Sequence, residues 1–411
     1  MGDRYEFLNT ETAEWEEIIC SLPDIEKKWS APFYLFHENR MMWNLELLRR
    51  CLGGASIAYA AKANPWLIRA AVKRADYIEV CTEGELELCQ AYEIPGAKIV
   101  MDGVLRTEKA LQQALNLGVK RFCVDSSSQL EQLIHMSGEI EHLEILLRVS
   151  SGNQFGMDKK EVEICIRLCS AFGKECITGV QFYPGTQRNE KEKVKRDIDV
   201  FRQWLEWLEK LQDFQAKEIQ FGSGIGFPYF LGDRLEDYKE ALDEIAVFIR
   251  ELSGRYRVIY EVGRLVAASC GLYVTKVFGV KEREDKRILF CLGGINHFQY
   301  PGGAFGIREP GVKVICASPA GRMRESMVCG ALCSEADVWI RRKMLDEGIR
   351  QGDLLAFPGA GAYCAVEAPN LLLAMEMPAV LVYNKSNSAN IQDIDCAHAH
   401  IPTYRLVDDR A

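Results

Sequence analysis

The chain has 411 residues, of which 48% are apolar and 27% charged, and it carries a formal charge of -9 at neutral pH. That length and composition exclude a disordered chain and leave room for two domains of ordinary size. The acidic balance speaks against nucleic acid as a partner, and no uninterrupted apolar window reaches the roughly 18 residues that a membrane helix needs.

The opening segment MGDRYEFLNT lacks the basic start and apolar core of a secretory signal. The fifteen cysteines are diluted along the chain and no pair has C-x-x-C spacing. They read as reduced thiols, so the expectation is a cytoplasmic protein with no metal site and a small-molecule substrate. Eight short β-rich runs then follow in order: SIAYAA, YIEV, KIVM, RFCV, EILLRV, ITGVQFY, EIQFG and RVIYEV. Helical patterns such as PWLIRAAVKRA, GELELCQAYEI, TEKALQQALNLG and SSQLEQLIHM separate them. This alternation predicts a (β/α)8 barrel over residues 31–265.

Barrel chemistry gathers past the carboxyl ends of the strands. The first run ends at Lys62, the second at Glu79, the sixth at Tyr183, the seventh in GSGIG (Gly222, Ser223, Gly224, Ile225, Gly226), and the eighth in Glu261-Val262-Gly263-Arg264. A glycine turn after a strand exposes backbone N–H groups to a phosphate, and Arg264 adds a fork of donors to the same anion. GSGIG alone serves equally well as a plain turn; joined to Arg264 and Lys62 on one rim it reads as a ligand site. A lysine amine, an anion cradle and a carboxylate, Glu261, on one mouth together suggest pyridoxal 5'-phosphate. The apolar run before Lys62 and the Asn64-Pro65 stop after it hold it at the mouth, where desolvation and the nearby cation Arg264 predict a neutral, nucleophilic amine.

These residues resemble the fold type III pyridoxal-phosphate decarboxylases, which include diaminopimelate and ornithine decarboxylases. The resemblance runs nearly end to end, through APFYLFHEN, AAKAN, TEGEL, GSGIG, EVGR, the Cys333 to Asp337 stretch CSEAD, and GAY at Gly361 to Tyr363. It implies a barrel of the alanine racemase type, with residues 1–30 and 266–411 forming a β-rich second domain. GLYVTKVFGVKE, KRILFCLGG, VKVICA and AVLVYNK look like its strands. It also implies a Schiff base on Lys62, Glu261 at the ring nitrogen, and Tyr363 with Arg264 and the glycine turn at the phosphate. Cys333 would come from the second domain of a partner subunit as proton donor, making a homodimer. Alanine racemases, which resemble this barrel, place an arginine at the ring nitrogen, so Glu261 favours decarboxylation over racemisation.

The pattern also departs from the family. Tyr183 stands where a histidine usually stacks on the ring, and Ser334, with Glu335 one place on, stands where an acid usually takes the substrate's distal ammonium. Ser334, Glu335 and Asp337 are the expected substrate contacts. The departures resemble a secondary-metabolite subgroup that includes a carrier-protein-bound glutamate decarboxylase and siderophore-pathway decarboxylases. The first expectation is thus a carrier-bound or carboxylate-rich substrate, and the alternative is a free diamino acid: diaminopimelate, lysine or ornithine. Racemisation and noncatalytic cofactor binding rank below both. The tail DCAHAH, with Cys396, His398 and His400, reads as surface rather than as a metal site.

Overall fold

The eight apolar runs close into a parallel barrel in a computed structural model that describes residues 4–104, 107–138, 143–171, 176–283, 286–385 and 395–396. Ahead of the barrel stand α1 (Ala13–Trp29), β1 (Phe33–His37) and α2 (Glu38–Cys51). The barrel strands are β2 (Ser56–Ala60), β3 (Tyr77–Val80), β4 (Ile99–Met101), β5 (Arg121–Val124), β6 (Glu144–Arg148), β7 (Ile177–Phe182), β8 (Glu218–Phe221) and β9 (Arg257–Val262). β9 returns to β2 with Ala58 opposite Glu261, which closes the ring.

The crossover helices are α3 (Ile68–Ala71), α4 (Glu83–Ala91), α5 (Glu108–Asn116), α6 (Ser127–Ser137), α7 (Lys159–Ala171), α8 (Lys191–Leu208) and α9 (Leu235–Ser253), and the short α10 (Arg264–Ala267) follows the last strand. Local chemistry sets several of their starts. Thr82, Thr107 and Ser126 each accept the N–H three residues on, capping α4, α5 and α6. The helical pattern PWLIRAAVKRA yields only a 3-10 turn over Pro65–Leu67 and the four residues of α3.

The second sheet is built from β10 (Gly271–Arg283), β11 (Lys286–Cys291), β12 (Lys313–Ile315), β13 (Met323–Cys329), β14 (Val338–Asp346), β15 (Leu354–Pro358), β16 (Ala379–Tyr383) and β17 (Asp395–Cys396), together with β1. Here the chain differs from the sequence expectation. β1, placed by sequence within the barrel segment, lies between β10 and β16, with Phe33 opposite both Val274 and Ala379. The N-terminal thirty residues add a helix to this sheet rather than a strand. Trp15, Ile18, Leu22 and Ile25 of α1 are buried against Phe33, Leu35, Leu272 and Ala356. Among the described residues no helix is long and apolar enough to cross a membrane. His398 and His400 lie outside the described residues.

Trp15 is the anchor of α1: it is 2% exposed and its Nε1 donates to the Ser269 carbonyl at 3.0 Å. Trp15→Ala is expected to destabilise the protein by about 3–5 kcal/mol, from a cavity plus an orphaned carbonyl. A urea unfolding midpoint unchanged from that of the parent chain would show that α1 is not part of the cooperative core.

Candidate active site

Lys62 rides on a 3-10 turn, Ala61–Ala63, directly after β2. Asn64 fixes that turn by its side chain: Oδ1 accepts the Trp66 N–H at 3.0 Å, and Nδ2 donates to the Gly361 carbonyl at 2.8 Å. The Tyr59 hydroxyl donates to the Asn64 carbonyl. Pro65 then opens the next turn with no N–H to place. The lysine is thus held at the mouth by its neighbours, with 43% of its side chain still open to solvent.

Its amine meets Glu79 at the end of β3, Nζ to Oε1 at 2.9 Å. Parallel pairing sets Ala60 opposite Glu79, which brings together residues 17 apart in sequence. The ammonium state wins, and the expectation of a neutral amine in the free chain is corrected. Burial works to lower the Lys62 pKa, but Glu79, Cys81 and Glu261 outweigh it and hold it well above the usual lysine value. Arg264, the cation expected to depress it, instead lies among Tyr229, Thr186 and Tyr363.

Two buried carboxyls divide the remaining work. Burial raises Glu79, yet Lys62 overrides it and the carboxylate is held below its ordinary range. Glu261, at the end of β9, is pushed well up by burial and then by Glu79. Glu79 therefore carries the negative charge and Glu261 the proton while the amine is free. The Glu261 Oε2 accepts from Gln181 Nε2 at 2.9 Å and from Gln220 Nε2 at 3.3 Å.

On the far side of the mouth the backbone makes a cradle. A Cβ at Gly224 would fall 1.5 Å from the Gly185 carbonyl oxygen, and Gly224 has φ +64°, so only glycine suits this position. At Gly222 a Cβ would strike the Tyr183 ring, and at Gly263 it would strike Ala63. Arg264 lies over the Tyr363 ring at 4.3 Å, with Nη1 on the Tyr229 hydroxyl and Nη2 on Thr186. Its Nε is buried without a partner, which is the arrangement a bound anion would complete. Lys62, Tyr183, Glu261, Arg264 and Tyr363 line one cavity that is partly open to solvent. An amine, an anion cradle and a buried carboxyl around one cavity fit pyridoxal phosphate.

Other expected site residues lie elsewhere. Ser223 turns into the wall, with its hydroxyl on that of Tyr260, and Gly226 packs near Gln187 and Tyr238. Cys333, Ser334 and Glu335 are exposed on the β13–β14 connection and are not part of the cavity lining in the single chain. Asp337 is corrected from substrate contact to loop anchor. It is 3% exposed, and its two oxygens accept the Ile295 and Leu332 N–H groups at 2.8 and 2.7 Å. The TEGEL motif likewise acts on the backbone: besides the Thr82 cap, Glu85 Oε2 accepts the Cys81 N–H. Residues not singled out from sequence include Cys81, whose Sγ is 3.8 Å from the Lys62 amine, and Tyr229, Gln181 and Gln220. The glutamines did carry a signal, as lone polar residues inside apolar strand runs.

Residues 39–268 match the family described as pyridoxal-dependent decarboxylase, pyridoxal binding domain. A diaminopimelate decarboxylase of Aquifex aeolicus is 24% identical over 393 residues, covering 89% of this chain and 90% of that protein. A 2-[(L-alanin-3-ylcarbamoyl)methyl]-2-hydroxybutanedioate decarboxylase of Staphylococcus aureus is 26% identical over 331 residues, covering 74% and 82%. The fold matches the crystal structure of lysine/ornithine decarboxylase from Vibrio vulnificus complexed with cadaverine, with TM-score 0.75 at 21% identity, covering 91% of this chain and 99% of that one.

The Lys62–Glu79 pair makes a sign prediction. Glu79→Gln removes the largest of the groups that raise the Lys62 pKa, and that pKa should fall. Amine-selective labelling of Lys62 across pH, read by mass spectrometry on cofactor-free protein, checks it. A labelling profile at the same pH as in the parent would refute the pairing.

Proposed function

Because the chain belongs to the pyridoxal-dependent decarboxylase family, we propose that its barrel mouth holds pyridoxal phosphate through Lys62 and removes the α-carboxylate of a free diamino acid such as diaminopimelate, lysine or ornithine. The observation that carries the cofactor placement is the single cavity that joins the Lys62 amine, the unpartnered Arg264 Nε and buried Glu261. The names of the relatives support decarboxylation of an amino acid, and they favour a free diamino acid over a carrier-bound one.

Bound pyridoxal phosphate supplies an electron sink for the pair left when carbon dioxide departs. Lys62 would carry the cofactor's aldehyde carbon, with Glu79 steering its nitrogen. Arg264, the Gly224 turn and Tyr363 would take the phosphate. Glu261 would face the ring nitrogen, and Tyr183 would lie against the ring as an uncharged aromatic, its hydroxyl kept protonated by burial. Cys333 is exposed and does not line the Lys62 cavity of its own chain, so its part in the chemistry requires a site shared by two copies, as the resemblance implies. In that arrangement the Cys333 thiol of a second copy would give its proton to the α-carbon, and Glu335 beside it would receive the distal ammonium.

The carboxylate-rich reading keeps two supports. Ser334 offers no charge next to Cys333, and the staphylococcal relative named for a hydroxybutanedioate conjugate is among those matched.

Carbon dioxide release from meso-diaminopimelate, lysine and ornithine, set against citrate-linked and carrier-bound amino acids, separates the readings; release from the latter groups alone would reject the diamino acid. Borohydride treatment of the yellow holoenzyme should fix the cofactor's mass on the Lys62 peptide, and Lys62→Ala should lose that adduct. Cys333→Ala should lower kcat roughly 10²-fold or more while cofactor affinity is retained. Equal turnover in Cys333→Ala would remove it from the chemistry.

A further inference from the structure

Barrel interiors are ordinarily filled by layers of branched apolar side chains. Under this mouth the layer is polar. Gln181 on β7 and Gln220 on β8 are register partners, and neither has any solvent exposure. Both turn Nε2 onto the same oxygen of Glu261, at 2.9 and 3.3 Å. Their Oε1 atoms are buried with no hydrogen-bond partner. Leucine or methionine at these positions would avoid that penalty, so the packing of the barrel does not account for the two amides.

Their common target does. Glu261 faces Glu79 on β3, with which it also shares a hydrogen bond, and Asp102 just past β4, both of which oppose its ionisation, and Lys62 after β2, which favours it. Arg148, at the end of β6, interacts with it as well, while Tyr183 and Tyr260 beside it stay neutral through burial. Burial and Glu79 prevail and keep the proton on Glu261. Two N–H donors on one oxygen work in the opposite sense, since they stabilise the carboxylate. They do so without bringing a cation that would compete for the carboxylate with a cofactor ring nitrogen.

We propose that Gln181 and Gln220 are positioning residues that hold Glu261 by Oε2 and make the carboxylate the weaker base, so that the proton rests on the cofactor's ring nitrogen. The role rests on Glu261 facing that nitrogen, as put forward above. It defines a device spread over three consecutive strands, in which neutral amides set the electronic state of a group they do not touch.

The test uses holoenzyme loaded with pyridoxal phosphate carrying 15N at the ring nitrogen, observed by NMR across pH. Methionine keeps the volume of glutamine and removes its donors. In Gln181→Met/Gln220→Met the ring nitrogen should lose its proton at a pH lower by about one unit or more. In the same variant kcat should fall roughly tenfold or more, with KM little changed. Each single variant should show part of the shift, and the singles decide the matter by the same readout where the double variant does not fold. An unchanged 15N titration in folded variants overturns the role of the amides. Glu261→Gln serves as the reference: if it leaves the nitrogen unshifted, the placement of Glu261 itself fails, whereas a shift there without one in the methionine variants defeats the amides alone.

Discussion

Three ionisable groups crowd the mouth of the barrel, the amine of Lys62 and the carboxyls of Glu79 and Glu261, and burial leaves the two carboxyls little water with which to settle their charges. The Lys62–Glu79 pair resolves the conflict by putting one positive and one negative charge side by side at 2.9 Å. Glu261 is then the group left with a proton. A cofactor joined to Lys62, as put forward above, would place its ring nitrogen in competition for the proton on Glu261. The same pairing that keeps the free chain free of an isolated buried charge therefore readies it for the exchange.

Around this centre the backbone does most of the shaping. Gly222, Gly224 and Gly263 keep side chains away from places where Tyr183, Gly185 and Ala63 already press in. Arg264 is held flat against Tyr363 and tied to Tyr229 and Thr186, so its remaining donor points at a fixed spot. Asn64 reaches from the lysine turn to Gly361, and the Tyr363 N–H donates to the Ala63 carbonyl. The first strand-end of the barrel and the loop that carries Tyr363 are thus one unit, and a change in either displaces both.

Much of this was legible in the sequence, and the failures have identifiable causes. The barrel strands could be read because each is a short, mostly apolar run. The same property hid the role of Phe33–His37, since a strand buried on both faces looks alike whichever sheet it joins. Strands β13 and β14 alternate exposed charges with buried residues, as in MRESMVC and VWIRRKMLD, and carried no clear apolar signal. At the site, Lys62, Glu261, Arg264 and Gly224 stood out by their place at strand ends. The charge state of Lys62 did not, because its partner is set by the lateral register of β2 against β3. Asp337 looked like a contact for substrate because a carboxylate in a loop gives no hint, in sequence, that backbone N–H groups have already claimed it.

The position of β1 bears on how the protein is made. Phe33-Tyr34-Leu35-Phe36 leaves the ribosome well before its partners, Gly271 to Val274 on one edge and Ala379 to Val382 on the other. During synthesis an oily, hydrogen-bond-hungry ribbon must wait while the whole barrel emerges, and its second edge waits until β16 follows. Nascent molecules stalled at that stage would offer one another the same open edge, so a holding chaperone has its natural target within the first forty residues.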